Sequence, residues 1–365
     1  MSETKFVPLG DLIKPAKTIK AGEKSYPVLS MTMHHGLMDQ SQKFKKTIAS
    51  KDLSSYKVVK RGQLVVSFPI DEGVLDFQQL YDAAIVSPAY GIWDLIDPSI
   101  VDINYLGLAL RSPRSLAYYK AKLQGSTARR RTLPKEVFLA MPVELPNIEE
   151  QKRRVLQTNL EKLIEQKRAR QRELLSELEK SVFHQMFGNP FEKNDEHPRY
   201  KLSDISLKFS DGPFGSNLKS EHYQTNGIRV IRLQNIGVGK FKDKDKVFIS
   251  SIHYEKLKKY TCSPGDIIIA TLGNPNLRAA EIPDYIDTSI NKADCIQIRP
   301  NLNLVNPQWL ICLLNDDSTN SVLSTLFHGQ TRSRVSMGQL KNLEINLPPL
   351  SLQNKFEKIT KNLTI

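Results

Sequence analysis

The chain has 365 residues, 40% hydrophobic and 25% charged, so it can bury the cores of two or three domains and is no disordered polyelectrolyte. Its net charge of +13 favours polyanionic partners, and Cys262, Cys295 and Cys312 are too few for a disulfide framework or a zinc site. The first residues lack the apolar core of a signal peptide and no membrane-length apolar run appears, so a cytoplasmic protein without membrane contact is expected.

In chain order, "YPVLSM" (Tyr26 to Met31), "KVVKRGQLVVSF" (Lys57 to Phe68) and "AAIVSPAYGIW" (Ala83 to Trp93) read as strands bounded by Gly and Pro. "INYLGLALRSPRSLAYYKAKL" (Ile103 to Leu123) reads as helix, broken at Pro113. After a long polar stretch the order returns. "IRVIRL" (Ile228 to Leu233), "YTCSPGDIIIAT" (Tyr260 to Thr271) and "ADCIQIRP" (Ala293 to Pro300) are strands, and "NPQWLICLLND" (Asn306 to Asp316) is the matching helix.

The two blocks align by landmarks. A turn glycine, Gly62 or Gly265, introduces an apolar strand in each; "GSTARRR" (Gly125 to Arg131) answers "GQTRSR" (Gly329 to Arg334). "LPNIEEQ" (Leu145 to Gln151) answers "LPPLSLQ" (Leu347 to Gln353). The offset is near 203 for these and falls to 193 for Leu9 and Asp11 against Leu202 and Asp204, so an insertion within Ser210 to Gly227 is expected. A period this long is a duplicated α/β domain, not a solenoid repeat.

Glu149 to Phe187 contains no Gly or Pro across 39 residues, and "FGNP" (Phe187 to Pro190) makes a sharp stop. The run predicts a helix of about 60 Å. Its apolar residues include Leu156, Leu160, Leu163, Leu174, Leu178 and Val182, a stripe that predicts packing against another helix or partner. Charge follows the same division. Lys and Arg number 20 against 14 Asp and Glu in 1–145, 10 against 10 in 146–198, and 22 against 15 in 199–365. The positive excess sits in the two globular blocks.

Two basic α/β blocks, each closed by "LP…Q" and a helix, with a central helix ending "FHQMFGNP", resemble the specificity (S) subunits of type I DNA restriction–modification systems. The resemblance covers nearly the whole chain. It implies an α/β (α+β) fold with two tandem target-recognition domains, at 1–145 and 199–348. A long coiled-coil spacer helix lies within 146–190, and a shortened C-terminal helix begins in 349–365. It also implies double-stranded DNA as ligand, each domain reading half of a bipartite site. The expected protein partners are two methyltransferase subunits docked on the helices, with endonuclease subunits further out. The chain itself would be non-catalytic and without a cofactor, S-adenosylmethionine being bound by the methyltransferase partners. Where family members carry a distal helix comparable to the central one, only about 15 residues follow the second boundary here. Alternatives are a specificity subunit whose partner fuses nuclease and methyltransferase, or a basic scaffold for acidic proteins.

The paired arginine loops are the first DNA-contact candidates: Ser126, Thr127, Arg129, Arg130 and Arg131, answered by Gln330, Thr331, Arg332 and Arg334. Hydroxyl and guanidinium donors suit phosphate oxygens, and Arg can fork onto guanine. Lys43, Lys45 and Lys46, with Lys240 and Lys242, interleave charge with an aromatic, against a solvated face as the plain reading. Gln234 and Asn235 carry amides suited to adenine, or alternatively a turn. "GNPF" and "LGNPN" lack the second proline of an amino-methyltransferase motif. His34 and His35 have no ligand partner at metal spacing and read as a surface turn.

Overall fold

The computed structural model describes residues 5–33, 35–43, 52–68, 70–123, 133–193, 196–273, 275, 277–325 and 334–363. The chain divides into two compact units, Met1–Lys167 and Arg168–Ile365. The division falls inside one helix, Ile148–Phe187, so each unit owns part of it.

In the first unit, a four-stranded antiparallel sheet runs in the order Ile13–Pro15, Gly91–Leu95, Leu64–Val66, Leu75–Phe77. Gly62, at φ 84°, makes the turn that leads into Leu64–Val66, a backbone conformation that favours glycine. Three further strands, Ile19–Lys20, Lys57–Lys60 and Ala83–Val86, form a second sheet, and Phe6–Pro8 pairs with Pro142–Glu144 in a ribbon. Helices Ile103–Leu110 and Pro113–Lys122 cover the main sheet, with Leu64, Leu75, Leu106, Leu110 and Tyr119 fully buried between them. Each helix begins on a side-chain cap. Asp102 accepts from the N–H groups of Asn104 and Tyr105, and Ser112 from that of Ser115, with Pro113 in the first turn. The expected break at Pro113 is therefore a true boundary between two helices.

The second unit repeats this plan. Its main sheet has the equivalent order, Ser206–Ser210, Cys295–Pro300, Ile267–Ala270, Arg278–Glu281. Ile267–Ala270 is buried at every residue, which is why it reads as a continuous apolar run rather than an alternating one. The ribbon recurs as Arg199–Lys201 with Glu344–Asn346. The helices recur as Pro307–Asn315 and Asp317–Ser324, capped by Asn306 and Asp316. A smaller sheet pairs Ile228–Ile231 in parallel with Ser289–Asn291; in the first unit the same relation shrinks to a single parallel bridge, Val28 to Ile85. Ribbon and first sheet strand lie 193 residues apart between the units, the later elements about 203. The extra residues fall between Ser206–Ser210 and Ile228–Ile231, where the insertion was expected.

The helix Ile148–Phe187 is 40 residues long. Asn147 caps its start, its Oδ1 accepting from the Glu150 N–H at 2.9 Å, and Gly188 at φ 64° ends it, its N–H donating to the His184 carbonyl at 2.9 Å. Its last turns are rooted in the second unit's core. Phe183 and Phe187 are buried against Trp309, and against Phe356 of the chain-end helix Leu350–Leu363. The chain-end helix packs chiefly on Pro307–Asn315.

Candidate nucleic-acid interface

The clearest basic feature of the second unit is a loop following Ile228–Ile231. Its chain direction is fixed by Asn235, which is fully buried. Asn235 Oδ1 accepts from the Arg232 N–H at 2.9 Å, and its Nδ2 donates to the carbonyls of Lys242 at 3.0 Å and Asp245 at 2.9 Å. That is a correction to the adenine-reading role: the amide is spent inside the fold, and Asn235 takes the turn role. Its neighbour Gln234 is exposed.

The bridge between Ile236 and Phe241 closes the loop, with the Gly237 N–H donating to the Lys240 carbonyl at 2.9 Å. Glycine is required there, since a Cβ at residue 237 would meet that carbonyl oxygen at 2.8 Å. The loop presents Lys240, Lys242 and Lys244 to solvent, and among the described residues no carboxylate pairs with them. The arginines at its base are structural by contrast. Arg229 pairs with Asp243 at 2.9 Å, and Arg232 forks onto the Asp245 carboxylate, which holds its guanidinium more firmly charged. Free lysines above paired arginines make a positive surface on a rigid base.

Two residues in this region escape sequence reading. Lys292 donates to the Tyr223 hydroxyl at 2.6 Å, and the Arg232 guanidinium lies 5.6 Å from the centre of the same ring. Tyr223 and Lys292 lie far apart in sequence, so no local spacing reveals them. The cations held on the ring add to the positive face.

Arg334 is the member of the paired arginine loops that the structure describes. It is half-exposed, 2.9 Å from Asp294 and 3.7 Å from Asp211, with its guanidinium 5.4 Å from the centre of the Phe214 ring. Its charge is thus already matched within the unit. Burial pushes the Asp211 carboxyl above the usual carboxylate range. Ser126, Thr127, Arg129, Arg130, Arg131, Gln330, Thr331, Arg332, Lys45 and Lys46 lie outside the described residues, as do His34 and the side chain of Lys43.

Along the long helix, Leu156 is 60% exposed, Leu160, Leu163, Ile164 and Leu174 each 48%, and Leu178 44%. This row of large apolar side chains faces solvent on a helix whose other exposed residues are mostly charged or polar, as a partner-binding stripe would. Val182 does not belong to it. It packs against the second unit's core, because the helix enters that core one turn after Leu178.

No helix among the described residues is long and apolar enough to cross a membrane. Residues 201–365 match the family described as the type I restriction modification DNA specificity domain. Two relatives from Methanocaldococcus jannaschii are named as type I restriction enzyme specificity subunits. MjaX is 25% identical across 36% of this chain, and MjaVIII 23% identical across 72% of it. The matches span 32% and 64% of those proteins' lengths. Among solved structures, the type I restriction–modification S subunit of M. genitalium is 15% identical with a TM-score of 0.58, covering 100% of this chain and 90% of that one. A chain from a study of type I R-M complex assembly is also 15% identical, with a TM-score of 0.53, covering 100% of this chain and 91% of that one. Residues 201–365 are thus similar to the type I restriction modification DNA specificity domain, and the first unit, with the same sheet order and the same capped helix pair, repeats the second unit's plan on a chain with the fold of the type I S subunits.

Proposed function

We propose that the chain is the DNA-recognition subunit of a type I restriction–modification complex. Each unit reads one half of a bipartite double-stranded site, and the exposed leucine stripe docks two methyltransferase subunits, with endonuclease subunits joining beyond them. The chain is non-catalytic and acts in the cytoplasm. S-adenosylmethionine is bound by the methyltransferase partners.

The observation that carries this reading is the duplication itself: one fold unit built twice, its second copy similar to the DNA specificity domain, with an exposed apolar stripe on the helix Ile148–Phe187. Two like readers on one chain fit a split target, and a leucine stripe fits a protein partner better than a phosphate backbone. The proposed DNA contacts are the lysine loop at Lys240 and Lys242 with Gln234 beside it, and the arginine loops at Ser126, Thr127, Arg129–Arg131 and Gln330–Arg332. Lys43, Lys45 and Lys46 would serve the first unit.

The test is fluorescence anisotropy on mixed-sequence duplex DNA across a salt series. Log affinity should fall linearly with log salt, and replacing Lys240 and Lys242 by alanine should lower the slope by about one unit per lost phosphate contact. Binding that ignores salt, or methyl transfer from labelled S-adenosylmethionine by the isolated chain, would overturn the assignment.

A further inference from the structure

The first unit contains an open groove of about 520 Å³ between Ile103–Leu110, the ribbon and the first turns of the long helix. Its walls include Phe6, Leu108, Ala109, Arg114, Arg154 and Thr158. What such a groove holds can be read from the second unit, where the equivalent place is filled.

The correspondence is residue by residue. Tyr105 and Trp309 each stand three residues after a helix cap, Asp102 or Asn306. Ser115 Oγ donates to the Ala109 carbonyl just as Thr319 Oγ1 donates to that of Leu313. Arg154 and Thr158 occupy the helix positions of Phe356 and Thr360, three and seven residues beyond the boundary glutamine.

In the second unit this place takes the last turns of the helix ending at Phe187. Phe183 lies 6.3 Å from Trp309 and 5.6 Å from Phe356 between ring centres, and Phe187 lies 6.0 and 5.5 Å from the same pair. Glu179 Oε1 accepts from Gln308 Nε2 at 3.0 Å. Lys180 pairs with Asp317 at 2.9 Å, and His184 Nε2 lies 2.9 Å from Asp316 Oδ2. An aromatic pair at i and i+4 fills the groove, and two basic side chains meet two acids on its rim.

The first unit keeps the shape and changes the charge. Ser112 and Pro113 replace Asp316 and Asp317, and Arg114 follows, exposed, with its guanidinium 4.2 Å from the centre of the Phe6 ring. Phe6 itself is 42% exposed. Arg154 stands where Phe356 does, already paired with Glu144 and Glu150.

We propose that this groove is a docking site for the end of an amphipathic helix from a second polypeptide. The incoming helix carries an i, i+4 aromatic pair, and carboxylates where the resident helix of the second unit has Lys180 and His184. The carboxylates meet Arg114, and the aromatic pair covers Leu108, Ala109 and Phe6. A second copy of this chain is a poorer occupant. Its matching segment is already sequestered in its own second unit, and Lys180 would face Arg114 as a like charge.

The probe is a stapled, fluorescein-labelled peptide of residues 172–188 carrying Lys180→Glu and His184→Glu, titrated against the full chain by anisotropy. Saturable binding is expected. Thr158→Arg, which obstructs the groove from a partly exposed helix position, should abolish it. Arg114→Glu should weaken it about tenfold and should strengthen binding of the unsubstituted peptide, a charge swap that a merely sticky surface would not give. Circular dichroism checks that both variants fold. Equal binding by native, Thr158→Arg and Arg114→Glu chains, or no saturation, would overturn the proposal. So would a dimer of the chain alone, seen by light scattering and lost in Thr158→Arg, because that would seat a second copy in the groove.

Discussion

Gln151 and Gln353 form the same three hydrogen bonds, one set in each unit. Gln151 Oε1 accepts from the Asp102 N–H at 2.8 Å, and its Nε2 donates to the carbonyls of Ile100 at 2.9 Å and Pro146 at 2.8 Å. Gln353 Oε1 accepts from the Asn306 N–H at 2.8 Å, and its Nε2 donates to the carbonyls of Leu304 at 3.2 Å and Pro348 at 2.7 Å. Both side chains are fully buried. Each glutamine ties the start of a boundary helix to the cap of the unit's main helix, which explains why the Leu-Pro…Gln pattern is spelled twice.

Removing either amide strands one N–H and two carbonyls away from water. Gln151→Ala should therefore destabilise the first unit by roughly 2–4 kcal/mol, and Gln353→Ala the second by a similar amount. The chain's two tryptophans separate the effects, since Trp93 reports on the first unit and Trp309 on the second. Urea unfolding of each glutamine variant, in Trp93→Phe and Trp309→Phe backgrounds, should show the shift in one unit only. Equal shifts in both would mean the glutamines do not act locally.

Much of this frame was legible in the sequence because it rests on local chemistry. Pro113 and Gly188 act on their own backbone, and the Leu-Pro…Gln boundaries repeat at a fixed offset that survives low identity. The functional surface was less legible because its decisive contacts are long-range. Arg334 looked like a free phosphate ligand until the fold brought Asp211 and Asp294 beside it. Asn235 looked like a base reader until residues 242 and 245 closed over it. Val182 continued a helical stripe whose environment changes from solvent to core within one turn.

Arg334 supplies the positive charge between Asp211 and Asp294, so Arg334→Ala should make the second unit's stability depend on pH. Burial already raises the Asp211 carboxyl in the folded state. Without the guanidinium it should rise further. A raised folded pKa favours folding below the unfolded value, near 3.9, and that benefit is lost as pH climbs through the folded value. The variant's urea midpoint should therefore fall more at pH 7.5 than at pH 4.5, relative to the native chain. Adding Asp211→Asn should remove the extra pH dependence. A deficit that does not change with pH would assign Arg334 a packing role only.

The thiols should be inert in the folded chain. Burial pushes the Cys262 thiol up to about 12 and raises that of Cys295. Cys312 is also raised, by burial and by Glu179, whose Oε1 accepts from its thiol at 3.3 Å. Only the thiolate reacts quickly. At pH 8, Ellman's reagent should find no fast thiol in the native chain and three after urea unfolding. Because unfolded thiols ionise near 8.5, stability should also decline as pH rises above that value. A fast-reacting native thiol would show that one of these sites opens.

The leucine stripe gives the sharpest separation of folding from assembly. Leu156, Leu160 and Leu163 are 48–60% exposed and touch no core, so changing them to lysine removes little buried apolar area. Surface changes of this kind are usually worth within about 0.5 kcal/mol, and lysine is nearly as good a helix former as leucine. Unfolding midpoints of both units should stay put. Capture of the proposed methyltransferase partner in co-purification should drop by at least about tenfold, because three charges would have to be desolvated at the centre of the proposed docking face. If the triple variant retains its partner, the stripe is a solvated face and methyltransferase docking lies elsewhere. If instead both midpoints collapse, the leucines pack within the chain itself, and the helix is a structural element rather than a docking rail.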